Sequence, residues 1–190
     1  MERPDIITEI ALDEGGIRNC IRRLAREIVA DYPLGAKVLA VVVLEGARRF
    51  AEDLLREFLA HTSARFELAY ISAKSYHGGQ ESSGRVEIDA SRAPDVTGRE
   101  VLVIDDVYDT GRTLAAVTRH IRSRGARGVK TCVLLEKRKP HAETVTLDFL
   151  GAKVFDRYLV GYGLDHGGRF RDLPYIGYAD AAEPDAGSHD

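Results

Sequence analysis

The sequence predicts an α/β fold in which a central, mostly parallel twisted sheet is covered by helices on both faces. Three observations predict it. Short apolar runs rich in β-branched residues alternate with segments of helical periodicity through the middle of the chain. The runs at 37–44, 100–104 and 128–135 are predominantly apolar, as strands buried on both faces must be. The motifs rich in acids, hydroxyls and glycine follow directly on such runs, where these sheets hold their ligands.

Residues 17–32 place Ile17, Ile21, Leu24, Ile28 and Val29 at helical spacing, with Arg18, Arg22, Arg23 and Arg26 elsewhere. This predicts an amphipathic surface helix that stops before Pro33, with the arginines on a solvated face. Residues 37–44 read as a buried strand, and 46–59 as a helix with Phe50, Leu54, Leu55 and Phe58 on one side. A strand follows at 66–72, then a polar Gly- and Ser-rich loop at 74–84 and a short extended return at 85–88. Strands at 100–104 and 128–135 bracket a helix at 113–124. The last extended pieces are 153–160 and 174–178, and residues 180–190 form a small acidic tail expected to be disordered. No repeat or second domain is visible, so residues 1–180 are read as one domain and 181–190 as the tail.

Composition narrows the function classes. A chain of 190 residues with 44% apolar and 30% charged residues can bury a substantial core. Its formal net charge of -3 offers no basic field for nucleic acid. Cys20 and Cys132 match no metal spacing and read as reduced core thiols; His61, His77, His120 and His141 show no zinc spacing. No signal-like start and no apolar run approaching ~20 residues is seen, so a cytoplasmic protein with no membrane span is expected.

One stretch carries the chemistry. Val101-Leu102-Val103-Ile104 reads as a strand ending at two carboxylates, Asp105 and Asp106. Val107-Tyr108-Asp109-Thr110-Gly111-Arg112-Thr113 then turns into a helix. Backbone N–H groups, two hydroxyls and a helix N-terminus thereby surround one point, which suits a phosphate. The neighbouring carboxylates suit a polyhydroxylated sugar and a divalent metal. No G-x-x-x-x-G-K-[ST] loop is present.

This motif resembles the phosphoribosyl pyrophosphate (PRPP) signature of type I phosphoribosyltransferases. From Val38 to Tyr178 the chain resembles, within them, the hypoxanthine-guanine phosphoribosyltransferases. Four further segments carry the resemblance, in order. They are Leu44-Glu45-Gly46-Ala47-Arg48-Arg49-Phe50, Lys74-Ser75-Tyr76-His77-Gly78-Gly79, Leu134-Leu135-Glu136-Lys137-Arg138-Lys139-Pro140, and Phe155 to Asp165 with Arg169-Phe170-Arg171-Asp172-Leu173-Pro174-Tyr175.

The resemblance implies the type I phosphoribosyltransferase fold, with a small hood formed by the N-terminal segment and about 153–178. It implies that Tyr108, Asp109, Thr110, Gly111, Arg112 and Thr113 hold the 5-phosphate, and that Asp105 and Asp106 accept from the ribose hydroxyls. Asp109 would be the catalytic partner of purine nitrogen 7. Glu45 and Gly46 would form the pyrophosphate loop, held by a cis Leu44–Glu45 peptide. Glu45 departs from the family's Lys or Arg, and a carboxylate there repels pyrophosphate; Arg48 or Arg49 would compensate from the helix. Ser75 and Tyr76 would cover the pyrophosphate from a closing loop. Lys137 would donate to the 6-oxo oxygen, Tyr158 would stack on the base, and Leu159 would offer its backbone to the base edge. Arg171 would contact pyrophosphate, while Tyr162 would point away and pack in the core. The implied cofactor is Mg2+, with Asp165 binding it through pyrophosphate and Asp105 and Asp106 as further candidate ligands. The implied partners are PRPP, a 6-oxopurine and a second copy of the chain, as a homodimer or homotetramer. Two alternatives stay open: a xanthine-preferring enzyme, and a weakly catalytic PRPP- or nucleotide-sensing regulator.

Overall fold

The computed structural model describes residues 6–33, 35–60, 65–75, 86–89 and 93–180, with the backbone alone at 74 and 75. Nine strands and three helices follow in the order β1 (Ile7–Leu12), α1 (Glu14–Asp31), β2 (Lys37–Leu44), α2 (Ala47–Leu59), β3 (Arg65–Ser75), β4 (Val86–Ile88), β5 (Glu100–Tyr108), α3 (Arg112–Ser123), β6 (Gly128–Lys137), β7 (Phe149–Val154), β8 (Tyr158–Val160) and β9 (Ile176–Ala179) among the described residues. Six strands form one sheet in the order β4-β3-β2-β5-β6-β7, parallel except for the β3–β4 pair. The remaining three form a small antiparallel sheet, β1-β9-β8. The α/β class and the mostly parallel sheet are as the sequence predicts.

Alternation along the strands explains the layers. Val38, Ala40 and Val42 of β2, with Leu102 and Ile104 of β5, pack against Ile21, Leu24 and Ile28 of α1 and Phe50, Leu54 and Phe58 of α2. Leu39, Val41 and Val43, with Val101 and Val103, face the other way onto Leu114, Val117 and Ile121 of α3. Both sets are buried, so the central strands read as continuous apolar runs. The small sheet joins the α1–α2 side through Leu159, Ile176 and Tyr178.

Strand order locates the site. From β2 the chain crosses to β3 on one side, while β5 lies on the other side of β2. The gap between the carboxyl ends of β2 and β5 is thus a topological switch point, where open parallel sheets form a crevice. The turns after Leu44 and after Tyr108 both leave from this gap.

Five boundaries differ from the sequence reading. α1 begins at Glu14, a turn early, because Asp13 caps it by accepting from the Gly16 N–H at 2.6 Å. β3 runs on to Ser75, so Lys74 and Ser75 lie in a strand that β4 extends by pairing. β5 runs on to Tyr108, which puts Asp105 and Asp106 inside the strand instead of beyond its end. The stretch 153–160 splits between the two sheets, because the chain leaves the large one after Val154 and re-pairs with β9. β1 has no counterpart in the sequence reading: its pairing with β9 is interrupted by register shifts, and its partners lie some 170 positions away.

Candidate active site

The β5–α3 turn is built as an anion nest. α3 is capped by Gly111 at φ 80°, and no side chain closes its N-terminus. Asp109 does not cap it, and Thr110 accepts only a long 3.5 Å hydrogen bond from the Arg112 N–H, so the N–H groups that follow remain available to a ligand. Gly111 is required here, since a Cβ would run into the Glu143 carbonyl oxygen as well as adopting left-handed backbone. The turn is braced from behind. The Tyr108 hydroxyl donates to the Glu143 carbonyl at 2.7 Å and accepts from the Val145 N–H at 3.0 Å. The Glu143 N–H donates to the Thr110 carbonyl at 3.1 Å, and His141 Nδ1 lies 2.6 Å from the Asp109 carbonyl oxygen. A cavity of about 40 Å³ inside the turn is lined by Asp105, Tyr108, Asp109, Thr110, Gly111 and Thr113.

Beside it lies a larger cleft of about 320 Å³. Its walls are Glu45, Gly46, Asp106, Asp109, Lys137, Tyr158, Leu159, Asp165 and Arg171, with Val107 and Leu164. Two glycines bring the pieces together. A Cβ at Gly46 would collide with the Asp106 carboxylate, and one at Gly163 would collide with the Gly46 carbonyl. The Leu44–Glu45 peptide is cis. Arg171 donates to the Gly163 carbonyl at 2.6 Å and pairs with Asp165 at 2.8 Å. Tyr158 is partly exposed, its hydroxyl donating to the Asp165 carbonyl at 3.0 Å. Leu159 lies in β8, an edge strand of the small sheet, so alternate backbone groups there lack sheet partners.

The carboxylates sit in unlike environments. Asp105 and Asp106 are neighbours on a strand and line different cavities. Burial, and then the neighbouring Asp106 charge, pushes the Asp105 carboxyl well above the usual range. Burial pushes Asp106 up as well, opposed by hydrogen bonds and the Arg171 charge. Asp109 goes the other way. Its burial alone would raise it, but hydrogen bonds and charge from Lys137 and Lys139 outweigh burial and hold it below the usual range. Lys137 Nζ is 2.8 Å from Asp109 Oδ2, and Lys139 pairs with Oδ1. Asp156 joins from the β7–β8 turn, 3.6 Å from Lys137 and 3.0 Å from Lys139.

Most residues singled out in the sequence thus converge on two adjoining cavities. Arg48 and Arg49 do not. Arg48 lies over the Tyr70 ring, and Arg49 donates to the Arg171 and Leu173 carbonyls and lies over Tyr162. Neither lines the cleft that Glu45 lines; the cations that do are Lys137 and Arg171. Tyr162 is buried and donates to Asp53 at 2.7 Å, away from the cleft. Arg112 and Thr113 open α3. Tyr76 and the Ser75 side chain lie outside the described residues, as do 181–190. The sequence reading missed Lys139, Asp156 and the brace at 141–145. Lys139 follows the end of β6 in a tight bend, its N–H donating to the Lys137 carbonyl at 2.9 Å, so no strand periodicity signals it.

Fold and site point to one class: a parallel sheet whose switch point carries an anion nest beside an acid-lined cleft is the build of the phosphoribosyltransferases. Residues 11–165 match the phosphoribosyl transferase domain family. The hypoxanthine-guanine phosphoribosyltransferase of Staphylococcus aureus is 33% identical over 171 residues, 90% of this chain and 93% of the relative. A crystal structure of a hypoxanthine phosphoribosyltransferase from Staphylococcus aureus superposes with a TM-score of 0.83 at 31% identity, covering 93% of each chain. The hypoxanthine phosphoribosyltransferase of Trypanosoma cruzi gives 0.84 at 27% identity, covering 95% of each. The chain belongs to the hypoxanthine-guanine phosphoribosyltransferase family.

Proposed function

We propose that this purine-salvage enzyme transfers the 5-phosphoribosyl group of PRPP to hypoxanthine or guanine, releasing pyrophosphate and giving IMP or GMP. The observation that carries the reading is one cleft holding Asp109, Lys137, Tyr158, Asp165 and Arg171 together, next to the anion nest. In the reaction the bond from the anomeric carbon to pyrophosphate breaks, its electrons leave with pyrophosphate, and a purine nitrogen bonds to that carbon. The transition state resembles an oxocarbenium ion.

The chain's residues divide the work. The nest amides of 108–113 and the hydroxyls of Thr110 and Thr113 hold the 5-phosphate. Asp105 and Asp106 accept from the ribose hydroxyls, each from its own side of the strand. Arg171 and the loop at Glu45 and Gly46 receive pyrophosphate, and Ser75 and Tyr76 cover it, excluding water. Tyr158 stacks on the base while the Leu159 backbone meets its edge. Lys137, which can only donate, selects a 6-oxo over a 6-amino group. Asp109 accepts the hydrogen of nitrogen 7, drawing positive charge off the ring as the new bond forms. Among the described residues no three His, Cys, Asp or Glu side chains converge as a metal cluster. One or two carboxylates at a time, Asp165 in the cleft or Asp105 and Asp106 on β5, fit Mg2+ that would arrive with substrate oxygens and retained waters. When bound, the ion would neutralise charge on the departing pyrophosphate.

No helix among the described residues is long and apolar enough to cross a membrane. The functional unit we propose is a cytoplasmic homodimer or homotetramer whose single domain spans 1–180, the small sheet serving as hood. The test is nucleotide formation from PRPP and Mg2+ with hypoxanthine, guanine, xanthine and adenine in separate reactions. Turnover on hypoxanthine and guanine but not adenine is expected. PRPP binding without turnover on any base would overturn the enzyme reading in favour of a sensor, with Glu45 as the lesion.

A further inference from the structure

Lys139 stands out because it contacts the two carboxylates that Lys137 also contacts. Lys137 and Lys139 contribute two positive charges, and Asp109 and Asp156 two negative ones, in one closed network. Lys137 makes one hydrogen bond, to Asp109 at 2.8 Å, and lies 3.6 Å from Asp156, so donors remain for a base, but its single charge is then shared with it. It already lines the cleft with its side chain only 12% exposed, so a 6-oxo oxygen placed there competes with Asp109 for the same ammonium and weakens that pair. Asp109 would then be a half-buried carboxylate with one partner weakened, at the moment when its position and charge matter most.

We infer that Lys139 is a positioning residue for the transfer reaction: bridging Asp109 and Asp156, it keeps the Asp109 carboxylate aimed and charge-balanced while Lys137 is shared with the purine. Asp156 anchors Lys139 from the far side, 3.0 Å away, so the bridge survives the weakening of the Lys137 pair. Other groups near Asp109 do not substitute. His141 meets its backbone carbonyl and lies 3.5 Å from Glu136, and Arg171 is engaged with Asp165 and the Gly163 carbonyl. Asp106, across the cleft, adds negative charge. The inference rests on Asp109 as the partner of the base.

The experiment is a double-mutant cycle on kcat for hypoxanthine, with Lys139→Met, Lys139→Arg, Asp109→Asn and the Asp109→Asn/Lys139→Met pair. Lys139→Met is expected to lower kcat roughly tenfold, a fraction of the ~10²–10⁴ that general acid–base help supplies, with KM for PRPP little changed. Its kcat relative to the parent should fall further as the pH is lowered, because Asp109 then loses a partner that favours its ionised form. Lys139→Arg should restore both. In the Asp109→Asn background, Lys139→Met should cost nothing more. A full additional loss there, or an unchanged kcat and pH profile for Lys139→Met alone, would overturn the role of Lys139. Undiminished kcat for Asp109→Asn would instead overturn the reading of Asp109 itself, so the two failures are distinct. Thermal melting and PRPP binding of each variant establish that it folds.

Discussion

Residues 105–113 build one half of the cleft from a single strand–turn–helix unit. The other half is gathered from the β2–α2 turn, the end of β6, the β7–β8 turn and the long excursion from β8 to Arg171. The first half presents backbone, fixed by one glycine and a brace behind it. The second presents side chains, fixed by tertiary contacts such as the close approach of Gly46 and Gly163. Damage to the local half should therefore weaken phosphate binding. Damage to the assembled half should spread over stability, base affinity and turnover.

Asp109 belongs to both halves, so its loss should give the largest effect. Asp109→Asn is expected to lower kcat by about 10²–10⁴ while leaving PRPP affinity nearly intact, as steady-state kinetics beside calorimetric binding would show. Equal losses in both would mean that Asp109 serves only the phosphate half. Gly111→Ala breaks the local half alone. Its Cβ meets the Glu143 carbonyl in a left-handed backbone, so the fold should lose about 1–3 kcal/mol. PRPP affinity should drop by roughly tenfold or more as the nest deforms. An unchanged PRPP affinity would show that the 5-phosphate does not sit on this turn.

In the assembled half the losses should separate differently. Tyr162→Phe removes the hydrogen bond to Asp53 that ties α2 to the loop carrying Gly163. A loss of about 1–3 kcal/mol is expected, and roughly 2–4 °C of melting temperature per kcal/mol for a chain of this size. Its kcat should stay within a few-fold of the parent, because the ring faces away from the cleft; a collapse of kcat without a change in melting would contradict that. Tyr158→Leu should raise KM for hypoxanthine by about threefold to tenfold, the worth of a stacked ring, and leave KM for PRPP alone.

The same contrast decides what could be read in the sequence. The nest was legible because its parts are consecutive: apolar strand, acids, Thr110, Gly111 and Thr113 announce a turn into a helix before any tertiary structure is known. Lys137, Asp165 and Arg171 were reached only through resemblance, since no spacing brings positions so far apart into one cleft. The Lys139–Asp109 pair, the fit of Gly46 against Gly163 and the brace from Glu143 depend on where whole elements pack. Apolar residues on either side, Val154 and Leu159-Val160, also hid the passage from one sheet to the other, which falls at the exposed Phe155 and Asp156 between them. β1 was placed in the hood only through resemblance: Thr8, Glu9 and Ile10 are all exposed, so no alternation marks a strand, and only β9 makes it one.

The subtlest test concerns Asp105, in the local half. Its carboxyl is pushed up by burial and by the Asp106 charge. The folded protein therefore holds this proton more tightly than the unfolded chain does. Below the ordinary carboxylate range, at about pH 3 and lower, both states are protonated and the group is neutral in stability. As the pH rises, the unfolded chain ionises first, and the folded state loses stability until its own raised pKa is passed. Asp105→Asn removes that slope while keeping an oxygen for the Asp106 N–H, which now donates to Asp105 at 3.0 Å. The variant's ligand-free melting temperature should match the parent's at about pH 3 and exceed it at pH 7. A gap independent of pH would show that the buried charge does not weigh on the fold. Saturating PRPP should narrow or reverse the gap at pH 7, because it stabilises most the protein whose carboxylate it uses. A carboxylate that costs stability when empty and recovers it with the sugar bound is the pattern expected of a residue kept for the ligand.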